Sequence, residues 1–599
     1  MPAIISEKFR IFNAKQFIES FSEGTPSGSG GDTSIDRTRM YFFIGASRPW
    51  KAYMEIYGQN TTPFEAGQTI TVGTFIGVIS EVYPYALYFS SASGIPTAAG
   101  SLTANNPANG ATAKVGLYRS ADENNAPNVL DNQKEKFANY RDIIALKRIT
   151  DTDVKPVISR KNYNISSYPN FDMWRPDYSD INPALTGAFS LSNTRHIIMN
   201  SKYEVFMCIY NGSGVDGSNN IVKGVNMQSN YVPQVGVDGS GNIGKYVQPF
   251  GQAITASGGI FMEVNSSGSV VGGGYMWKHL YTIPTSDVIK FVSTDFIPVV
   301  YDTLVQGAAA KDGTIEVAVV KDAGSGLPAA FWAPVIGDGT IQAVVYVTTT
   351  SGSITSVKVV NGTAAGLSSP YTNTGYTWGE VYLKHGYMYS GYTAASNTLG
   401  TAISSGYSNA AGKIDIIIPP QGGYGFDVLS DTNAKRAMVN VRLDGYDGLD
   451  FLTDNEFRRI GIIQDPLTPG GAYLTSSTAS GLSSFTTTGT GSFTLDETIT
   501  QSSSGAKGTV VAYNSTTGTV YYYQSPEFHR HTDYKIYPFT SSGGAVVGQS
   551  SNVSRTISAS SLVGHEIKVN SGEMIYVENR KSITRGTDQI EDIKLVVEF

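Results

Sequence analysis

The 599 residues exceed what one hydrophobic core usually serves, and at roughly 150 residues per domain the length suggests about four units, or fewer with large insertions. Charged residues make up only 16%, the net charge is −7 and no dense basic run occurs, which argues against a surface that tracks nucleic-acid phosphates. A single cysteine, Cys208, excludes an intramolecular disulfide framework and any multi-thiolate metal site.

What remains of the composition favours strands. Low charge with abundant Thr, Tyr, Val and Gly suits strands joined by tight turns, so the chain reads as mainly β. Near the start, Glu7, Lys8, Arg10 and Lys15 interrupt any apolar signal segment. No later stretch reaches the roughly 20 apolar residues of a membrane span. The expectation is synthesis and folding in a cytoplasm, without membrane insertion.

Phe9, Phe12, Phe17, Ile18 and Phe21 fit loosely to one helical face. Glycines and serines then break the chain over residues 22–31, and Arg39 through Gly45 reads as a buried strand. From there two kinds of sequence alternate. Varied, aromatic, moderately charged stretches at 1–57, 134–210, 259–303, 413–467 and 564–599 read as one discontinuous core domain. Between them lie Gly/Ser/Thr-rich insertions at 58–133, 211–258, 304–412 and 468–563, expected to be small β modules except for 211–258, a Gly/Ser-rich segment. Cys208 sits in an apolar run from Val205 to Tyr210 and reads as a core thiol. At the C-terminus Ile593, Leu595, Val597 and Phe599 alternate with Asp592, Lys594, Val596 and Glu598, a strand with one covered face.

The insertions hold weak internal similarity. Phe64-Glu65-Ala66-Gly67-Gln68-Thr69-Ile70-Thr71 is echoed by Phe493-Thr494-Leu495-Asp496-Glu497-Thr498-Ile499-Thr500. Each leads to a second run (74–79; 508–513) and a Tyr-rich third (83–89; 519–523), the pattern of a small antiparallel meander. A related pattern runs through 341–347, 354–361 and Gly375-Tyr376-Thr377.

Chemistry is sparse. Gly239-Ser240-Gly241-Asn242-Ile243-Gly244-Lys245 resembles a phosphate loop, but Tyr246 stands where Ser or Thr must reach Mg²⁺, so a surface turn is the better reading. His529 and His531, with Glu527 and Asp533, have alternate spacing that could hold a metal, although their surroundings read as an exposed loop. His196, His279, His385 and His565 have no partner pattern. Asp444, Asp447, Asp450 and Asp454 could offer oxygens to calcium but lack the helix-loop-helix spacing. No Gly-x-Ser-x-Gly elbow and no Cys–His pair at a family spacing occurs. The expectation is a protein without a catalytic site, a metal or a cofactor.

The non-inserted segments resemble the dimeric baseplate wedge subunit of T-even-like contractile-tailed bacteriophages. The match is densest at Ser571-Gly572-Glu573-Met574-Ile575-Tyr576-Val577-Glu578-Asn579-Arg580, continuing through Asp588-Gln589 to Phe599. In the same order come Glu7 to Arg10, Tyr41 to Trp50, Val157 to Tyr163, Cys208 in its strand, Gly274 to Pro284 and Phe457 to Leu467. The resemblance covers about half the chain and leaves the insertions outside. It implies a layered antiparallel β-sandwich core with a few helices in loops, a homodimer, contacts with other baseplate wedge proteins, and a part in relaying baseplate rearrangement to sheath contraction. It transfers no catalytic residue. The insertions would add surface for fibre or peripheral baseplate proteins.

Among the residues that carry the match, Arg48, Trp50, Arg160, Trp277 and Arg580 are candidate interface residues. For the two tryptophans the competing reading is core filling with the indole N–H paired; for the arginines it is an internal ion pair or strand cap. A rival function is host-glycan binding through Tyr85, Tyr88, Tyr521, Tyr522 and Tyr523, against which stands the common packing role of strand tyrosines. A tailspike hydrolase would need long regular β-helix coils, which the varied core segments contradict.

Overall fold

The computed structural model describes residues 5–21, 38–96, 103–105, 109–160, 171–212, 214–215, 221–222, 246–247, 260–263, 275–301, 311–362, 371–403, 406–407, 411–443, 456–531, 533, 535–583 and 590–599. The glycine-rich 239–245 segment, the aspartates Asp444, Asp447, Asp450 and Asp454, and residues 22–31 lie outside them. With 44% of residues in strands against 9% in helices, antiparallel sheets carry the fold, which is β-rich and sandwich-like. The chain forms two compact units, one of Met1–Ile18, Lys155–Val439 and Lys594–Phe599, the other of Glu19–Val154 and Asn440–Ile593. The varied stretches grouped above as one core thus fall in both units.

The second unit is built on a five-stranded sheet in the order Thr478–Ser480, Ile143–Arg148, Met40–Gly45, Phe457–Gln464, Glu573–Ile583. Met40–Gly45 lies at its middle, with Phe42 opposite Ile462 and Phe43 opposite Leu146. All six of its residues are buried, as an uninterrupted apolar run with strands on both sides requires. Tyr41 spends its hydroxyl on the carbonyls of Leu474 and Ser476, at 3.1 and 2.9 Å.

Two closed six-stranded barrels interrupt this sheet. The first uses Ala52–Tyr57, Thr69–Val72, Phe75–Tyr83, Ala86–Ser93, Thr103–Asn105 and Thr112–Arg119. The second uses Ser483–Thr488, Thr498–Gln501, Ala506–Asn514, Thr519–Tyr523, Ala545–Gly548 and Ser554–Ile557. Both close in the order one-four-three-two-five-six. The likeness reaches individual residues. Gly67 and Asp496 both have positive φ, +86° and +63°, in the turn before the second strand. From there Gly67 N–H donates to Ile79 O and Asp496 N–H to Val510 O. A bulge follows at Ser80 in one barrel and at Val511 in the other. Three residues before each bulge stands a glycine, Gly77 or Gly508, over which an aromatic ring folds.

The first unit contains a third module with its own core. The pair Val317–Ser325 and Ala411–Ile417 and the sheet Ser353–Val359, Val344–Thr350, Ala330–Gly337, Gly379–Val381 pack into the same one-four-three-two-five-six circuit. Gly375-Tyr376-Thr377, expected as a strand, is a loop here. It inserts the Tyr376 ring into the module's core, with the hydroxyl 2.8 Å from Ala343 N and 3.3 Å from Val335 O. In every module the first and last strands meet: Tyr53 pairs with Arg119, Val317 with Ile417, and Thr487 with Ile557. Each therefore leaves the chain close to where it entered, the geometry of an insertion.

The rest of the first unit packs one sheet, including Ile197–Met199, Glu204–Tyr210 and Met276–Thr282, over an aromatic core of Phe171, Phe206, Tyr275 and Trp277. Cys208 is fully buried in that core. Phe296–Pro298 pairs with Val154–Ser159, and along Glu591–Glu598 Ile593 and Leu595 are buried as the alternation requires. The helix Glu7–Glu19 buries Ile11, Ala14 and Ile18, while Phe9 and Phe12 stand more than half exposed. The phenylalanine face expected from the sequence is thus rotated outward at its first two members.

Candidate functional site

Strand alternation builds a cleft in the second unit. In Ala52–Tyr57 the even residues Ala52, Met54 and Ile56 enter the first barrel's core, so Tyr53, Glu55 and Tyr57 point outward. The neighbouring strands add Glu81, Tyr83, Tyr88, Leu117 and Arg119 to the same outer surface. Opposite lie the helix Gln133–Arg141 with Glu135 and Asp142, and Pro526-Glu527-Phe528, which follow the second barrel's fourth strand. The cleft, open to solvent on one side, has a volume of about 720 Å³. The helix starts where Asn132 accepts the Glu135 N–H with its side chain, a standard N-cap.

Pairs of opposite charge hold these walls together. Glu81 takes Arg48, the Lys51 ammonium at 2.6 Å and the Tyr83 hydroxyl at 2.7 Å. Burial pushes the Glu81 carboxyl up, but Arg48, then Lys51 and Tyr83, outweigh it and hold it at about 2. Arg119 grips Glu135 with both terminal nitrogens, and Arg459 reaches Asp142 at 3.1 Å. Tyr88 donates to Glu527 at 2.6 Å; burial raises that carboxyl, and raises Asp496 to about 6. Aromatic rings fill the gaps: Phe528 meets Tyr83 at 5.0 Å and Tyr88 at 5.8 Å, and the Arg48 guanidinium lies 4.3 Å over its ring.

Of the interface candidates, Arg48 belongs to this cleft. Trp50 also lines it and donates its indole N–H to the Arg580 carbonyl at 2.7 Å, so these two residues lock one another within the unit. Arg160 caps its strand, with its backbone N–H on Asp295 O and Nη1 on Ser293 O at 3.0 Å. Trp277 is fully buried, stacked on Tyr275 at 5.6 Å, and so fills a core; its indole nitrogen has no acceptor among the described residues, against the expectation that it would be paired. The tyrosines of the glycan reading divide. Tyr85, Tyr88 and Tyr523 line the cleft, whereas Tyr522 is buried in the second barrel's core and Tyr521 lies on that barrel's strand outside the cleft lining.

The histidine pair does not converge. His529 is buried, accepts the Ser525 N–H at Nδ1 (2.7 Å) and places Nε2 2.9 Å from the Thr509 hydroxyl. It is therefore a neutral imidazole protonated at Nε2, and burial, then Arg48, hold its pKa down at about 3. His531 instead sits 3.7 Å from Asp533, and Glu527 is engaged by Tyr88. Among the described residues no group of three or more His, Cys, Asp or Glu side chains gathers as metal ligands would.

A second ionisable cluster lies in the first unit, where no motif announced it. Lys278, Glu316 and Asp431 are all buried. Asp431 accepts the Gly425 N–H at 2.7 Å, and burial raises its carboxyl to about 7. Burial lowers the Lys278 ammonium to about 8, against the attraction of Glu316 and Asp431.

Among the described residues no helix is long and apolar enough to cross a membrane. Compared with known proteins, the chain matches no family model and no curated protein.

Proposed function

We propose that the chain is a structural, non-enzymatic subunit of a contractile-tail baseplate wedge. In the virion it works as a homodimer that docks on other wedge proteins and relays baseplate rearrangement to sheath contraction. The observation that carries this reading is the collinear resemblance, densest from Ser571 to Arg580.

Two physical features support it. That motif forms the edge strand of the second unit's sheet, paired on one side to Phe457–Gln464, with Ile575 exposed. An edge of that kind presents main-chain donors and acceptors to another chain. The ionic and aromatic locks of the cleft also tie barrel, helix and second barrel together, which suits a body that moves as one piece while weaker contacts exchange. Only contacts that differ between the two assembly states drive such a switch.

The test is the solution mass by light scattering, alone and with co-expressed wedge-core proteins. A dimer that joins a larger complex supports the assignment, and its permanent interface should exceed about 2,000 Å². A trimer that ignores those proteins overturns it and points to a spike or fibre.

A further inference from the structure

The cleft between the first barrel, the helix Gln133–Arg141 and residues 526–528 is built like a ligand site, and its chemistry selects a class. At about 720 Å³ it lies within the range of roughly 300–1,000 Å³ usual for small-molecule sites. Six cationic side chains and six acidic ones line it, together with eight aromatic rings. Four of the six cations are committed, Arg48 and Lys51 to Glu81, Arg119 to Glu135 and Arg459 to Asp142, and this balance disfavours a charged ligand. Binding an anion there would strip a carboxylate of its partner and leave a partly buried charge uncompensated. An apolar ligand fares no better, since it would remove water from the same charges without replacing its hydrogen bonds.

A ligand that suits both features has apolar C–H faces for the rings and neutral hydroxyls for the ion pairs. Tyr57 and Tyr85, 43% and 54% exposed, stand at the cleft with Leu117, ready to cover such a face. Arg119, which also lines the cleft, holds the Glu135 carboxylate with both terminal nitrogens. A ligand hydroxyl can donate to a remaining lone pair of that carboxylate without breaking the pair. We propose that this cleft binds a neutral, hydroxyl-rich saccharide, with Tyr57 and Tyr85 as stacking platforms and the Arg119–Glu135 pair as the hydrogen-bonding wall. The inference goes beyond the wedge role and does not depend on it.

Isothermal titration of the full chain tests it, using neutral gluco-, galacto- and manno-oligosaccharides as probes and oligogalacturonate as the acidic comparison. The expected result is one site per chain for at least one neutral probe, weak or absent binding of oligogalacturonate, and a roughly tenfold loss of affinity in Tyr85→Ala and in Tyr57→Ala. Both tyrosines are exposed, so neither change threatens folding, and the light-scattering mass of each variant should match that of the wild type. Failure of every neutral probe to bind, preference for oligogalacturonate, or unchanged affinity in both variants overturns the proposal, whatever the assembly experiment gives.

Discussion

Replacing Asp431 by asparagine should reverse part of the protein's pH response. Asp431 is 3% exposed and its carboxyl is raised from 3.8 to about 7 by burial. Between those values the folded chain holds a proton that the unfolded chain has lost, so the wild type loses stability as pH rises from about 4 to 7. One pKa unit corresponds to about 1.4 kcal/mol, so the interval from pH 5 to pH 7 removes on the order of 2–3 kcal/mol. The amide side chain of the variant would keep an acceptor for the Gly425 N–H but has no proton to lose. Urea unfolding at pH 5 and at pH 7.5 reads the effect through tryptophan fluorescence, since Trp174, Trp277, Trp332 and Trp378 all lie in the first unit and only Trp50 in the second. Stability of Asp431→Asn relative to the wild type should rise by that 2–3 kcal/mol between the two conditions. A difference that stays constant within about 0.5 kcal/mol would show that Asp431 is ionised throughout and refute the burial argument.

Three further outcomes follow from packing. A methyl group at Gly77 would meet Phe89 Cδ1 at 2.6 Å and Phe75 Cζ at 2.8 Å, whereas at Gly508 the nearest ring atoms, of Tyr522 and Phe539, lie at 3.0 and 3.2 Å. Gly77→Ala should therefore cost about 2–3 kcal/mol and Gly508→Ala about 1, read as lost hydrogen-exchange protection in each barrel. On the N-terminal helix, Ile11→Ala should cost about 2–4 kcal/mol and Phe9→Ser less than about 0.5, measured by chemical denaturation. Cys208 is fully buried with its thiol pKa raised by burial, so a thiol reagent should leave the native protein unlabelled and react stoichiometrically after unfolding.

How much of this was legible depended on whether the signal was local. The strand Met40–Gly45 and the inward side of Glu591–Glu598 announce themselves through apolar runs and period-two alternation. So do the second to fourth strands of both barrels, which the echo of Phe64–Thr71 in Phe493–Thr500 links across 429 positions. Closure was not legible. The fifth strands, Thr103–Asn105 and Ala545–Gly548, are three and four residues long, and closure depends on each pairing with the second strand, remote in sequence. On the helix, Phe9/Phe12 and Ile11/Ala14/Ile18 both have helical spacing, and only tertiary packing chooses between them. The cleft depends on non-local pairs such as Tyr88 with Glu527, 439 residues apart, for which no spacing rule exists. His529 shows the converse error: His-x-His spacing looks like a ligand pair until one ring turns inward to satisfy Ser525 and Thr509.

The insertion character of the modules can be tested by removing one. Ser484 and Val563 exchange two backbone hydrogen bonds, 2.9 and 2.8 Å, so a two-residue Asn-Gly turn joining them would replace residues 485–562 without stretching the chain. The barrel removed owns its core, with Phe485, Phe493, Ile499, Val510, Val520 and Phe539 among its members, and none of these belongs to the sheet core around Tyr41, Phe43, Leu146 and Ile463. The rest of the unit would lose the Tyr88–Glu527 hydrogen bond and the Phe528 contacts with Arg48, Tyr83 and Tyr88, together on the order of 2–4 kcal/mol, and these fall on the first barrel and its approach, not on the sheet. Hydrogen exchange should therefore find Met40–Gly45 and Phe457–Gln464 still protected in the shortened chain, with protection lowered by no more than a few kcal/mol. Complete loss of protection there would mean that the barrel is part of the sheet's folding unit. The shared strand order of the three modules would then reflect one cooperative architecture, not repeated insertion of an independent one.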